Sequence, residues 1–215
     1  MKTKILLSFS IFFCAAITAN AQITKGKYLL GGSASYSNSK NQQGSGSKYE
    51  SFNTNIHFGK VIKDNTAAGI ILSYGYYNNG PENKTNVYSA GIFYRKYKPL
   101  AKGFYFFAEL DGVYNYSKNT EGHFEIGNNA QRYTSNGGII SFTPGISYSV
   151  CKRMQMELLM PNLASISYGN TKTEYTSTST TSVLTVKGNI FSANANFNTS
   201  FLNNFGIGFK FLLGK

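Results

Sequence analysis

The chain contains no tryptophan, two cysteines, four prolines and only nine acidic residues among its 215. Two cysteines exclude a disulfide scaffold and a thiolate zinc site. Apolar residues recurring at helical spacing are almost missing. Beyond the first twenty or so residues, no stretch reaches the roughly 18 apolar residues of a membrane helix. Charged residues are scarce at 14%, yet 41% apolar and 15% aromatic content excludes a disordered chain. The shortage of acid leaves 21 Lys+Arg unbalanced, for a net charge of +12. Such an excess points to nucleic acid or an anionic membrane, and its distribution along the chain decides between them. The length fits one domain.

Residues 1–21 read as a secretory signal peptide. Lys2 and Lys4 form a positive head, and Ile5 to Thr18 is an apolar run. Ala19-Asn20-Ala21 supplies the small residues a peptidase requires, so cleavage is expected between Ala21 and Gln22. The run is short for a membrane anchor. Phe13 before Cys14 is not the small residue a lipoprotein site needs. The expected domain, 22–215, then keeps Cys151 alone. Two readings remain: a soluble exported β protein, or a β-barrel in an outer membrane.

Apolar and polar residues alternate through eight stretches, the period of strands. Tyr28, Leu30, Ala34 and Tyr36 share one face against Leu29, Gly31, Ser33 and Ser35. Phe52, Ile56 and Phe58 oppose Asn53, Asn55 and His57, and Ile70, Leu72 and Tyr74 oppose Gly69, Ile71 and Ser73. Tyr88, Ala90, Ile92 and Tyr94 oppose Ser89, Gly91, Phe93 and Arg95. Phe104, Phe106, Leu110 and Tyr114 oppose Tyr105, Phe107, Glu109 and Asp111. Ile140, Phe142 and Ile146 oppose Ser141, Thr143 and Ser147. Met154, Met156, Leu158 and Ile166 oppose Gln155, Glu157 and Ser167, and Phe191 to Leu213 share one parity against Ser192 to Lys210. The last run is too long for one straight strand, and a bend near Leu202 to Asn204 is expected. Pro144 and Pro161 fall inside strands, where each requires a bulge or a missing hydrogen bond.

Connections alternate short (60–66, 98–102, 149–153) and long (38–47, 78–85, 118–133, 169–188). That rhythm belongs to an up-and-down barrel with short periplasmic turns, free outer loops and both termini periplasmic. The polar face is mainly Ser, Asn, Gly and Thr, whereas a water-facing surface would carry Lys and Glu. Eight strands leave an interior that side chains can fill. Tyr36, Tyr76, Tyr88, Tyr114, Tyr116 and Tyr168 fall at one set of apolar-face strand ends, and Tyr28, Tyr94 and Tyr148 at the other. These are the positions of interfacial aromatic girdles. The expectation is an all-β, eight-stranded antiparallel up-and-down transmembrane β-barrel.

The Phe58-Gly59-Lys60 to Asp64-Asn65 turn entering Ala68-Gly69, and the closing Gly206-Ile207-Gly208-Phe209-Lys210-Phe211, resemble the small outer-membrane β-barrel family (OmpX/OmpW-like, also called the porin family). The resemblance covers nearly the whole mature chain. It implies insertion into a bacterial outer membrane by assembly machinery, which in this family reads an aromatic near the end of the last strand. Phe211 is the last aromatic here.

Candidate chemistry is sparse. The inward parity collects Arg95, Glu109, Asp111, Glu157 and Lys210, which in a narrow interior should pair as a structural plug or a gate. Arg95 is the expected cation between Glu109 and Asp111. His57 lies inward, and His123 stands near Glu121 and Glu125 at a spacing that solvated loops also show. No Gly-x-Ser-x-Gly elbow exists, so catalysis is not expected, and no cofactor or metal is implied. Gly44 to Lys48 lacks phosphate-loop spacing, Thr176 to Ser182 is low-complexity loop, and the Met154/Met156/Met160 stripe is lipid-facing filler.

The expected function is a non-catalytic outer-membrane barrel with a structural or surface-interaction role. A narrow porin-like channel is the alternative, with a lipid-modifying enzyme and a soluble lipocalin-like carrier behind it. Removing residues 1–21 takes away Lys2 and Lys4 and leaves +10. Nearly all of it falls at one end: Lys60, Lys63, Lys96, Lys98, Lys102, Lys152 and Arg153, with Lys25, Lys27 and Lys215, face only Asp64. A ring of this kind suits anionic lipid headgroups, so the expected partners are outer-membrane lipids rather than nucleic acid.

Overall fold

A computed structural model describes residues 23–40, 48–78, 83–120, 122–124, 129–177, 183–195 and 206–214. Among these the chain is all strand: β1 (Tyr28–Lys40), β2 (Lys48–Lys63), β3 (Thr66–Asn78), β4 (Lys84–Ala101), β5 (Phe104–Thr120), β6 (Gly122–Phe124), β7 (Asn129–Cys151), β8 (Met154–Leu159), β9 (Ala164–Ser177), β10 (Val183–Ala195) and β11 (Gly206–Leu213). β1, β2, β3, β4, β5, β7, β8 and β11 close into an eight-stranded antiparallel ring. The ring shuts where Tyr28 to Gly32 of β1 pair with Leu213 to Phe209 of β11. β9 and β10 lie outside it: β9 pairs with the first half of β7, and β10 with β9.

Strand pairing defines two ends. At the turn end the chain reverses through Asp64–Asn65, Lys102–Gly103 and Lys152–Arg153. Asn65 adopts φ 60° and Gly103 φ 80°, left-handed geometry that asparagine and glycine tolerate best. Residues 23–27 and 214 lie at this end too, with Asn65 N donating to Ile23 O (2.9 Å) and Lys25 N to Asp64 Oδ1 (2.8 Å). The opposite, loop end carries the longer connections.

Strands reach further toward the loop end than alternation of apolar residues suggests. The stretches 118–133 and 169–188, expected to be loops, are mostly strand: β5 runs to Thr120, β7 starts at Asn129, β9 runs to Ser177 and β10 starts at Val183. Most residues of these extensions are polar on both faces, Val183, Leu184 and Val186 of β10 excepted, so they lack the sustained apolar rhythm that marks the belt below. Of the loops expected at 38–47 and 78–85, residues 38–40, 78, 84 and 85 are strand, while 41–47 and 79–82, like the bend at 202–204, lie outside the described residues.

The seventh expected strand is divided at Met160 to Leu163. β7 pairs with β8 from Gly145 to Cys151 and with β9 from Asn129 to Phe142. Pro144 sits at the switch, where its carbonyl accepts from Met160 N (3.0 Å) and its missing N–H costs no ladder bond. Pro161 stands in the excursion opposite, and Asn162 turns the chain with φ 52° while donating its N–H to Thr143 Oγ1 (3.2 Å).

The side chains alternate as the parity reading expects. Large apolar residues are exposed on the outside, among them Ile92 at 67%, Ile140, Leu110, Ile70 and Phe209. The buried side chains point inward. In the third of the barrel nearest the turn end an apolar cluster forms, Leu29, Val61, Ala67, Tyr97, Phe107 and Leu212, with Ile23 inserted beneath it at 1% exposure and the buried polar Ser147, Ser149 and Gln155 on the β7–β8 side. The interior is therefore not uniformly small and polar. Gly145 makes this packing possible, because a Cβ there would overlap the Phe107 ring.

Candidate functional site

The site begins with one arginine. β4 and β5 pair so that Arg95 stands opposite Glu109, both inward. β8 lies on another part of the wall and contributes Glu157. The three meet inside the ring. Arg95 Nε donates to Glu109 Oε2 (2.6 Å) and Arg95 Nη1 to Glu157 Oε1 (2.5 Å). Nη1 also donates to Tyr97 Oη (3.3 Å). All three charged side chains are buried, Arg95 at 1% exposure. A planar guanidinium suits this task, since its fixed fork of donors addresses two carboxylates at once. Its carbon centre lies 4.2 Å from the centroid of Phe107, so the cation rests on the top ring of the apolar packing below.

The remaining charged candidates surround this triad without joining it. His57 on β2 stacks on Phe93 (5.4 Å between centroids) and places Nδ1 3.9 Å from Glu109 Oε1, where it makes no hydrogen bond. Asp111 faces Ser141 across the β5–β7 pairing, and its buried Oδ1 is unpaired. Arg95 thus bridges Glu109 to Glu157, not Glu109 to Asp111 as the sequence led us to expect. Spacing along one strand identified Glu109 and Asp111 as neighbours, but the guanidinium extends across the interior instead of along the wall. Lys210 is buried on β11 with no carboxylate within 4.0 Å among the described residues. Its side chain lies over Gly31, where a Cβ would collide with Lys210 Cδ. Glu157 Oε2 is a further buried, unpaired atom.

The basic candidates gather at the turn end. Lys60 on β2 and Lys96 and Lys98 on β4 are exposed on the outward parity, and Lys63, Lys102, Lys152 and Arg153 are exposed at the turns. Lys60 Nζ lies 5.7 Å from the centroid of Tyr28, which itself stacks on Phe58 (6.0 Å). Ala21 and Gln22 lie outside the described residues, as do Glu121, Glu125 and the side chain of His123. Among the described residues no group of three His, Cys, Asp or Glu is placed to hold a metal ion. Sequence reasoning put Phe107 inside but missed its role, and that of Tyr97, as the support of Arg95. Their signal was available: three large residues, Phe93, Tyr105 and Phe107, on an otherwise small polar face.

No protein-family model matches the chain, and no curated protein matches it. The architecture itself is that of a closed eight-stranded antiparallel β-barrel with a buried ion triad over an apolar base.

Proposed function

We propose that residues 22–215 form an integral outer-membrane barrel of a diderm bacterium, released from a signal peptide at Ala21–Gln22, with both termini in the periplasm. One observation carries this reading: the side chains are sorted inside out. Charged Arg95, Glu109, Glu157 and Lys210 are buried while isoleucines, leucines and phenylalanines cover the exterior. In water that arrangement exposes the wrong face; in lipid it satisfies both. Phe104 and Tyr116 bound the apolar face of β5, twelve residues apart. At about 3.3 Å per residue and a tilt near 40°, they stand roughly 30 Å apart along the barrel axis. This matches the hydrocarbon thickness of a bilayer. The resemblance to small porin-family barrels agrees, and assembly machinery is the partner it implies during insertion.

Within that reading the barrel is a non-catalytic, non-conducting protein with a structural or surface-interaction role, whose extracellular partner is unnamed. Ile23, Leu29, Tyr97, Phe107 and Leu212 fill the turn end, and the Arg95 triad seals the interior above them. This favours a plug over the porin-like channel and leaves no reason to assign a lipid-modifying activity to His57. Two measurements test the proposal. Folded protein should run faster than boiled protein on gels and should partition with the outer membrane; recovery in a soluble fraction would overturn the placement. Planar-bilayer recordings should show no steady conductance, and stepwise ion currents from the wild type would restore the channel.

A further inference from the structure

Two recesses lie one above the other on the outer surface, the lower across β4, β5, β7 and β9 and the upper across β7, β9 and β10. The lower is a groove of about 530 Å³ floored by Gly112 and Gly138 and walled by Tyr114, Ile140, Ile166 and Tyr168. The upper, of about 300 Å³, is lined by Thr134, Asn136, Asn170, Lys172, Lys187 and Asn189.

The glycines of the groove are unusual for their surroundings. Gly137, on the opposite face of the wall, is required by close backbone approach, since a Cβ would meet Tyr168 O at 2.5 Å. A Cβ on Gly138 would meet nothing within 4 Å, and one on Gly112 only Ile92 Cγ1 at 3.9 Å. Glycine weakens a strand unless something must come close to it. Among the described residues nothing crowds these two, and on the outward parity the space they leave faces outward.

Charge is ordered above the groove. Pairing places Lys118, Thr134, Lys172 and Lys187 in one row across β5, β7, β9 and β10. Lys172 is bonded to Glu174 (2.5 Å), while Lys118 and Lys187 have no carboxylate within 4.0 Å among the described residues. Below them comes a row of Tyr116, Asn136, Asn170 and Asn189, and below that Tyr114, Gly138, Tyr168 and Phe191. Lysine row and glycine row are four residues apart, about 13 Å. Cationic ammonium groups, carboxamides and an apolar slot therefore succeed one another down the same face.

We propose that this face binds one molecule of a phosphorylated, acylated glycolipid. Its phosphate lies against Lys118, Lys172 and Lys187, its sugar hydroxyls bond Asn136, Asn170 and Asn189, and one acyl chain occupies the groove over Gly112 and Gly138. The carboxamide row favours a sugar headgroup over a glycerol one, and the groove favours an acylated ligand over a free anion. The inference rests on the membrane reading above.

Native mass spectrometry of the barrel refolded in lipid-free detergent tests it, with diphosphorylated lipid A, its dephosphorylated form, phosphatidylglycerol and inorganic phosphate as probes. Diphosphorylated lipid A should be retained at one copy per barrel and in preference to the other three. Lys118→Gln, Lys172→Gln and Lys187→Gln should each weaken retention about fivefold. Gly112→Val with Gly138→Val should abolish the preference while preserving fast gel mobility; Gly138→Ala is the milder variant if that pair misfolds. Equal retention of phosphatidylglycerol, retention of phosphate alone, or unaltered lipid A binding in the lysine or glycine variants would each overturn the site. Vesicle insertion separates the two levels: inserted protein without lipid A preference removes only this site, whereas protein that never inserts removes the membrane reading itself.

Discussion

Arg95 neutralises two carboxylates supplied by distant parts of the chain and rests its cationic face on Phe107. Truncating it leaves the buried Glu109 and Glu157 without the guanidinium that pairs them. Removing one member of a buried ion pair costs about 3–5 kcal/mol. Arg95→Ala should therefore lower the temperature at which the folded band disappears on gels, and an unchanged temperature would remove the triad from the stability of the barrel. Lys210 makes the contrasting case. It is a buried cation with no ion pair among the described residues, so Lys210→Met keeps its length and relieves a desolvation penalty. That variant should be as stable as the wild type or more so in urea titrations. The inward direction of all five charged candidates was legible from parity alone. Which charges meet was not, because the partner across the interior depends on the stagger of strands around a closed ring, which no local spacing records.

At the level of the strands, the alternating pattern located the first six strands of the ring and their two faces, while the seventh and eighth expected strands each divide, into β8 and β9 and into β10 and β11. It failed where strands rise clear of the apolar belt. Lys118 and Thr171 lie in ladder positions, but their neighbours on both faces are polar, so nothing distinguishes them from loop by hydropathy. The two in-strand prolines were a truer signal. Pro144 and Pro161 mark the exchange of partners by β7, and Asn162 completes it in a left-handed conformation. A β-branched side chain fits that geometry poorly, at a cost of roughly 1–3 kcal/mol. Asn162→Val should thus destabilise the barrel in the same gel assay and Asn162→Gly should leave it unchanged; equal behaviour of the two would argue that the turn is not under conformational constraint.

Across the whole molecule, the charge that looked like a nucleic-acid footprint is concentrated at the turn end, with Lys60, Lys96 and Lys98 directed outward beside Tyr28 and Phe106. Each cation near an anionic surface contributes about 1 kcal/mol. Replacing all three by glutamate should weaken insertion into phosphatidylglycerol-containing vesicles far more than into neutral ones, and equal insertion into both would reduce the ring to a solvated rim. The apolar base of the barrel was the least legible feature at this scale. Its residues come from β1, β2, β3, β4, β5 and β11, one or two from each, so no single segment announces it.

Ile23 gives that base a consequence in time. It stands two residues after the proposed cut at Ala21–Gln22, and the closed ring surrounds it almost completely, with its carbonyl bonded to the Asp64–Asn65 turn. A peptidase needs several residues drawn out in its cleft, and a finished barrel withholds them. On the proposed reading, leader removal comes first and closure second, so that the stump left by the cut becomes the stopper of the vessel.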